Sequence, residues 1–380
     1  MEVVSTLNQI KILKEERFYS VMRLINVILN FLLSVLEASR KPTINWFAKA
    51  ILLVSFGELG AQILSAQIPI DKLGITLTIG GGNTGMFFFL FTVSLILLAY
   101  AEYREKKEAD DSQLITIRHM GLIDHAIDDI RNYLPKKLKR IRPHPFSIIH
   151  KGSHQTDSLD ELKYQLDNIC RLPQFIKDCG ETLNNAKKNI LYGGVAPVPM
   201  VATAGHIISN MQDVHIGDWD REKRKWHFNN EFDDGEELNF EEIDNKGFQT
   251  KRVALAISLS IPIRLNMIEE EFGKNALYKV TYESGKHEYD NACSSTKQAR
   301  LVKNILEFIN NVVIPNYSNL EQLDIFITAQ ASFVFRLGSV FNQAHLPKIV
   351  FHHFNPNNEA KKHPWGVILN DNTQGYKVVA

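Results

Sequence analysis

The sequence lacks the short motifs by which many nucleotide-using enzymes are recognised. Its predicted soluble region, 112–380, has no Gly-x-Gly-x-x-Gly dinucleotide loop, no Gly-x-x-x-x-Gly-Lys phosphate loop and no Gly-x-Ser-x-Gly nucleophile elbow. His352 and His353 are adjacent on a predicted strand, so their rings point to opposite faces and cannot share one metal ion. No catalytic residue, metal site or cofactor is therefore predicted, and the sequence favours a binding protein over an enzyme.

The chain also lacks an excess of charge of either sign. Its 380 residues include 43 basic and 43 acidic side chains, which argues against a protein that coats duplex nucleic acid. A small nucleotide remains compatible with this balance, because it brings only a few phosphates. The three cysteines, Cys170, Cys179 and Cys293, are too widely spaced for a disulfide framework, so we expect buried free thiols in a cytosolic domain.

Long apolar runs are concentrated in the N-terminal quarter of the chain. In segment 1–45, residues 21–36 are apolar except for one narrow polar stripe, which favours an amphipathic helix beside the membrane over the alternative of a third membrane span. Residues 46–68 and 86–101 are long enough to span a bilayer, and together they predict a two-helix transmembrane hairpin over 46–103. Basic residues flank the outer ends of the hairpin, so the positive-inside rule places both termini in the cytoplasm.

The first predicted span carries small and polar residues at helical spacing. A carboxylate such as Glu58 is costly in hydrocarbon unless it is paired, protonated, or turned towards water or other helices. Two interpretations follow: an assembly seam or pore lining, or a tilted helix that places Glu58 near the lipid headgroups. The residues concerned are Ser55, Gly57, Glu58, Ala61, Gln62 and Ser65.

A charged linker, 104–111, precedes the soluble domain at 112–380. The basic cluster at 136–142 is either a solvated face or a contact with anionic lipid. Residues 253–263 predict a central strand, and 298–313 predict a long helix whose Arg300 faces solvent. The acidic stretch 231–244 is predicted to be loop.

Two segments of the soluble domain read as strand, helix and strand. One comprises 324–329, a helix through Phe341 and the strand 348–354; the other comprises 189–195, the helix 200–211 and a strand from 213. This order favours a parallel sheet. When the segments are superposed, Ala196 falls on Ala329, Pro199 on Ser332 and Gly205 on Gly338. We therefore predict an α/β fold with two related Rossmann-type units.

Ligands of open α/β sheets bind beyond the carboxyl ends of the strands. There, loops that precede helices can offer backbone N–H groups to phosphate, and aromatic and amide side chains can contact bases. Pro197 and Pro199 lack N–H groups, so the two half-sites are not expected to be equivalent. The predicted ligand-binding residues are Gly194, Ala196, Pro197, Pro199, Trp219, Asp220, Gln330, Ser332, Arg336, His353, Phe354 and Asn355.

The order and spacing of these elements resemble the SAVED domain, the duplicated relative of CARF domains in bacterial cyclic-oligonucleotide antiphage signalling. The matching segments are 114–119, the loop 193–197, residues 328–331, Leu337 with Gly338, and the strand 349–354. The two predicted spans resemble effectors of the CBASS type that fuse two transmembrane helices to this sensor.

The resemblance implies a membrane effector of abortive infection. Its SAVED domain would bind a cyclic oligonucleotide made by a CD-NTase, with a cyclic trinucleotide favoured, and would assemble into homo-oligomers or filaments. Assembly would gather the membrane helices and disrupt the inner membrane, with the sensor in the cytoplasm. Some relatives cleave their ligand, and no residue set here predicts that activity. The alternative is a membrane-tethered α/β nucleotide hydrolase or nuclease.

Overall fold

The computed structural model divides into two compact units, Met1–Glu108 and Ala109–Ala380. Most of the predicted segment 1–45, including the helix 21–36, lies outside the described residues. The structure describes residues 44, 47–52, 54–55, 66–70, 75–79, 84–122, 127–134, 138–149, 158–181, 187–209, 214–220, 222–228, 232–244, 250–273, 276–289, 294–342, 345–371 and 375–380.

The first unit contains a β-hairpin in the region predicted to end one span and begin a loop. Strands β1 (Ala66–Ile70) and β2 (Ile75–Ile79) pair antiparallel. The prediction that the span continues through 66–68 is therefore wrong. Both strands are rich in β-branched residues, which favour extended backbone over helix. The stretch 56–65 lies outside the described residues, so the first span stays a prediction.

Helix α1 (Thr84–Asp110) contains the whole second predicted span, 86–101. Among the described residues, it supplies the one stretch, Gly85–Asp110, that is long and apolar enough to cross a membrane. The helix continues through most of the predicted linker 104–111, where Arg104 donates to Glu108 one turn later. Lysine and glutamate favour helix, and no proline interrupts the run.

The first half of the second unit is built on a five-stranded sheet. Its order is β4-β3-β5-β6-β7, and β7 alone runs antiparallel to its neighbour. The strands are β3 (Ser112–Met120), β4 (Pro143–Ile149), β5 (Lys187–Val195), β6 (Val214–Asp220) and β7 (Lys225–Phe228).

The second half is built on a seven-stranded sheet of order β14-β13-β12-β11-β9-β10-β8. Strands β10, β9, β11 and β12 are parallel, and the others are antiparallel to their neighbours. The strands are β8 (Leu238–Asp244), β9 (Arg252–Ser258), β10 (Ala276–Tyr282), β11 (Gln322–Thr328), β12 (Lys348–His352), β13 (Gly366–Asp371) and β14 (Gly375–Val379).

The two sheets share one topology. With the edge strand β8 set aside, the second strand in chain order of each sheet lies outside the first, the third and fourth follow on the other side of the first, and an antiparallel strand comes next. The predicted α/β class is confirmed, and the shared order is what an internal duplication predicts. The helices are α2 (Leu159–Cys170), α3 (Leu172–Glu181), α4 (Val198–Ile208), α5 (Leu265–Phe272), α6 (Ser295–Phe308) and α7 (Ala331–Val340).

Helices α4 and α7 pack against each other at the two glycines that the superposition had paired. A Cβ built on Gly205 would lie 2.0 Å from the Phe335 carbonyl oxygen, and one on Gly338 would lie 2.1 Å from the Ala202 carbonyl oxygen. Ala202 and Phe335 are related by the same sequence offset as the glycines. The helices therefore meet backbone to backbone, in a nearly symmetric crossing that only glycine permits.

Three local predictions differ from the structure. The stretch 231–244 is not all loop, because Leu238–Asp244 forms the edge strand β8. Arg300 does not simply face solvent, because carboxylates of the segment before β8 surround it. Cys179 is buried as expected, but Cys170 is exposed; Cys293 lies outside the described residues.

Candidate functional site at the junction of the two halves

The carboxyl end of β6 in the first half meets the start of α7 in the second. The Asp218 carboxylate accepts a hydrogen bond from the Ser332 backbone N–H at 3.0 Å and another from the Ser332 hydroxyl at 2.5 Å. Both residues are buried. An internal carboxylate thus occupies the positive end of α7, where the sequence predicted donors for a phosphate.

The contact continues through α6 to an arginine. Gln298 donates from Nε2 to the Ser332 hydroxyl at 2.7 Å, and its Oε1 accepts from Arg336 Nε at 2.8 Å. The Gln298 amide therefore donates a hydrogen bond to a hydroxyl and accepts one from a guanidinium. Asp218, Ser332, Gln298 and Arg336 form a continuous chain, which we call the junction network.

Arg336 is a partly buried cation without a carboxylate partner. Among the described residues it takes part in no ion pair, and the bond to Gln298 is its hydrogen bond to protein. Burial lowers the pKa of Arg336, and the charge of Asp218 opposes that shift only in part. The guanidinium stays protonated at any physiological pH, so the lowered pKa measures the cost of holding its charge here.

The start of α4, in the first half, is chemically different. Pro197 is its N-cap and Pro199 lies in its first turn, so neither offers an N–H, and the Met200 N–H is bonded to the Pro197 carbonyl. Thr203, at the position equivalent to Arg336, turns its hydroxyl back to the Pro199 carbonyl at 2.7 Å. The cation is therefore present in one half only.

Gly194 and Ala196, in the segment that leads into α4, are buried. A Cβ on Gly194 would lie 2.7 Å from the Tyr192 ring, whose hydroxyl is 2.8 Å from His119 Nδ1. The Tyr192 ring also packs on Phe335 of α7, at 4.3 Å between centroids. Gly194 thus makes room for a buried aromatic contact between the halves.

The structure does not bring the other predicted site residues to the junction network through any described contact. Asp220 accepts from the Glu222 and Lys223 N–H groups and caps the β6–β7 turn, while Trp219 packs on Trp226. His353 stacks on Trp365, and Asn355 accepts a hydrogen bond from the Asn357 N–H within its own loop. Phe354 is half exposed, and Gln330 is the N-cap of α7.

Comparison with known proteins identifies the family. The model of the SMODS-associated and fused to various effectors sensor domain, SAVED, matches residues 172–369, more than half of the chain and all four junction residues. The chain belongs to the SAVED family. No curated protein matches its sequence.

Solved structures similar to this SAVED protein include the SAVED/CARF-domain receptor Cap4. The Acinetobacter baumannii receptor with 2'3'3'-cAAA aligns at 13% identity and a TM-score of 0.46, over 71% of this chain and 57% of that one. The same receptor with 3'3'3'-cAAA aligns at 14% identity and a TM-score of 0.41, over 70% of this chain and 57% of that one. The Moraxella osloensis receptor aligns at 11% identity and a TM-score of 0.40, over 72% of this chain and 56% of that one. The chain thus spans little more than half the length of these receptors.

Two members of the SAVED junction network, Asp218 and Gln298, were absent from the sequence prediction. A signal for Gln298 exists, because the offset that pairs Gly205 with Gly338 also pairs Gln165 with Gln298. Gln165 is a buried amide on α2, as Gln298 is on α6. Asp218 has no such signal, because its partner lies far along the chain.

A second polar cluster lies away from the junction network. Asp324 on β11 receives two hydrogen bonds from Arg252 and lies 2.8 Å from His352 Nε2, whose ring stacks on Phe326. Burial opposes ionisation of Asp324, but these partners outweigh it and the pKa of the carboxyl is lowered. The cluster is internally satisfied, which indicates a structural role.

The neighbouring pair of His363 and Glu271 predicts a loss of stability in mild acid. Burial lowers the pKa of His363 from 6.5, although Glu271 opposes the shift. Below pH 6.5 the unfolded chain therefore binds more protons, and stability falls as the pH drops. We expect the melting temperature of His363→Gln to depend less on pH, between pH 7.5 and 5.5, than that of the native chain. His345→Gln, at an exposed position, is the control; equal pH slopes for all three would contradict the prediction.

Proposed function

We propose that this SAVED protein is a receptor for a cyclic oligonucleotide in bacterial antiphage defence, and that Arg336 binds a phosphate of the ligand. The observation that carries the proposal is the unpaired guanidinium at the junction of the halves. A partly desolvated charge costs stability when no counter-ion accompanies it. The cost is explained if a bound anionic ligand supplies the counter-charge of the guanidinium during function.

The guanidinium is oriented before ligand arrives. Gln298 fixes its Nε, and Gln298 is itself fixed by Ser332 and Asp218. The remaining N–H groups form the planar fork that pairs with phosphate oxygens. Because less conformational freedom is lost on binding, an oriented arginine supports higher affinity than a mobile one.

The family is described as a sensor domain fused to various effectors, which supports a ligand-sensing role for this chain. The Acinetobacter baumannii Cap4 receptor was solved with two cyclic trinucleotides, which are accordingly the first ligands to test. We further propose a role as a sensor that does not consume its ligand.

The effector part of the proposal is membrane disruption. Helix α1 has the length and composition of a span, and the stretch 46–65, which contains Glu58, is a second span predicted from the sequence. We propose a multi-pass protein of the bacterial inner membrane with its sensor in the cytoplasm. Ligand that binds the oligomer better than the monomer would drive assembly, gather the spans and permeabilise the bilayer.

The test is a titration of the full chain in detergent with 2'3'3'-cAAA and 3'3'3'-cAAA. Linear triadenylate serves as a control that carries phosphates without the ring. We expect binding of a cyclic form, an increase in particle mass, leakage from liposomes that contain the protein, and intact ligand afterwards. Absence of binding by a panel of cyclic di- and trinucleotides would overturn the sensor proposal. Binding without leakage would overturn the effector part, and turnover would favour the hydrolase.

A further inference from the structure

The segment that leads into the second sheet is fastened to α6 by charge. This segment, residues 233–237, is called the acidic strap and precedes β8. Lys297 of α6 is 2% exposed, and its Nζ lies 2.8 Å from Asp234 and 3.2 Å from Glu236. The same ammonium lies 4.9 Å from the centre of the Tyr282 ring. A lysine this deeply buried is stable as a cation only with such partners.

Arg300, one turn further along α6, holds the rest of the strap. It forms a two-pronged pair with Asp233, from Nε and NH2 at 2.9 Å each, and donates from NH1 to Glu237 at 2.7 Å. NH2 also reaches the Glu236 carbonyl at 2.8 Å. Two-pronged arginine pairs are stronger and more exact in geometry than single contacts. The strap is therefore a defined ion-pair network along one face of α6.

The helix that carries these cations also carries Gln298. Lys297 and Gln298 are consecutive in the first turn of α6, so the acidic strap and the junction network both contact the same helical turn. A helix turn moves as a rigid element, because its backbone hydrogen bonds tie each residue to the next turn. A displacement of Lys297 therefore displaces the amide that orients Arg336.

We propose that the acidic strap is a latch on α6 that sets the affinity of the Arg336 site for its anionic ligand. With the latch closed, Gln298 holds the guanidinium in its binding orientation. With the latch open, buried Lys297 loses its counter-charges, the first turn of α6 shifts, and the arginine loses its support. This regulation rests on the proposed function, since it concerns the same site.

Reciprocity makes the proposal testable from both ends. If a closed latch raises ligand affinity, bound ligand must stabilise the closed latch by the same factor. The strap also continues the connection from the first sheet to the second, so ligand at the junction would tighten the link between the halves. A ligand signal would in this way be transmitted through α6.

The experiment compares Arg300→Gln with Lys303→Gln in the full chain. Both variants remove one positive charge from α6, but Lys303 pairs only with Glu307 on its own helix and has no described contact with the strap. Hydrogen exchange is measured over 233–237 and at the Ser332 amide, and affinity is measured with 3'3'3'-cAAA. We expect Arg300→Gln to exchange faster at both places and to bind roughly tenfold more weakly, a typical allosteric factor. Lys303→Gln should match the native chain.

The outcomes separate the latch from the proposed function. Faster exchange in the strap with no change at Ser332, or with native affinity, would overturn the latch. If the native chain binds no cyclic nucleotide, the proposed function fails, and exchange at Ser332 still decides whether strap and junction are coupled. Should Arg300→Gln fail to fold, Glu237→Gln removes a contact from the strap side. Exchange that is unchanged at Ser332 in that variant would likewise overturn the proposal.

Discussion

Replacement of Gly338 by alanine is expected to destabilise the protein strongly, although it adds only one methyl group. Helix propensity alone predicts the opposite sign, because alanine is favoured over glycine in helices by about 1 kcal/mol. The new Cβ would lie 2.1 Å from the Ala202 carbonyl oxygen, and a backbone atom cannot rotate away as a side chain can. The helices α4 and α7 must separate, which opens the packing of the whole crossing.

The expected cost is about 3 kcal/mol, at the upper end of overpacking effects, and it lowers the melting temperature by roughly 6–12 °C. Gly205→Ala should behave alike, because its Cβ would meet the Phe335 carbonyl at 2.0 Å. One separation of the helices relieves both clashes, so the double variant should lose less than the sum of the single losses.

Ser339→Ala, on the same helix next to Gly338, is the matched control. Among the residues that the structure describes, its hydroxyl bonds only to the Arg336 carbonyl within the helix, so we expect a change of less than about 1 kcal/mol. Thermal unfolding of the four variants measures these differences. A neutral or stabilising Gly338→Ala would show that the two backbones are not in contact.

The glycine crossing illustrates what the sequence made predictable. Local periodicity located the strand–helix–strand unit at the centre of each half, and one constant offset aligned Gly205 with Gly338. The same offset aligns Gln165 with Gln298. The repetition is visible in the sequence because equivalent positions of the two halves carry the same residue types for the same kind of packing.

The acidic stretch before and within β8 shows where periodicity fails. Leu238–Asp244 is an edge strand, and Glu241 and Glu242 within it are exposed. Charged residues of this kind keep edge strands from pairing with other chains, and they also hide the strand from a hydrophobic pattern. The strap's ion pairs were hidden for another reason: Asp233 and Arg300 are neighbours only after the two halves are connected and folded.

The junction network depends on packing between the halves, which no local pattern encodes. Both predicted helix N-termini exist, yet α7 receives the Asp218 carboxylate and α4 presents prolines. The proline asymmetry could be read from the sequence, whereas the carboxylate could not. Chemistry that arises between repeats requires their relative placement.

Arg336→Gln is expected to abolish useful ligand affinity while leaving the protein at least as stable. Glutamine removes the positive charge but keeps a polar amide near Gln298. Loss of one partner from a buried, hydrogen-bonded charge pair costs about 2–5 kcal/mol of binding, so affinity should fall about 30-fold or more. The ligand-free protein should be unchanged or stabilised, because burial disfavours the unpaired guanidinium, as its lowered pKa shows.

A fall in ligand affinity without a fall in stability distinguishes loss of a ligand contact from damage to the fold. Arg264→Gln makes the same substitution at an exposed position in the same half and controls for the change in net charge. We expect that variant to bind 3'3'3'-cAAA within about threefold of the native chain, with the difference removed by salt. Calorimetric titration and thermal unfolding of both variants give the two readouts. Native affinity in Arg336→Gln would place the phosphate contact elsewhere, and lost affinity together with a lower melting temperature would make Arg336 a structural residue instead of a ligand contact.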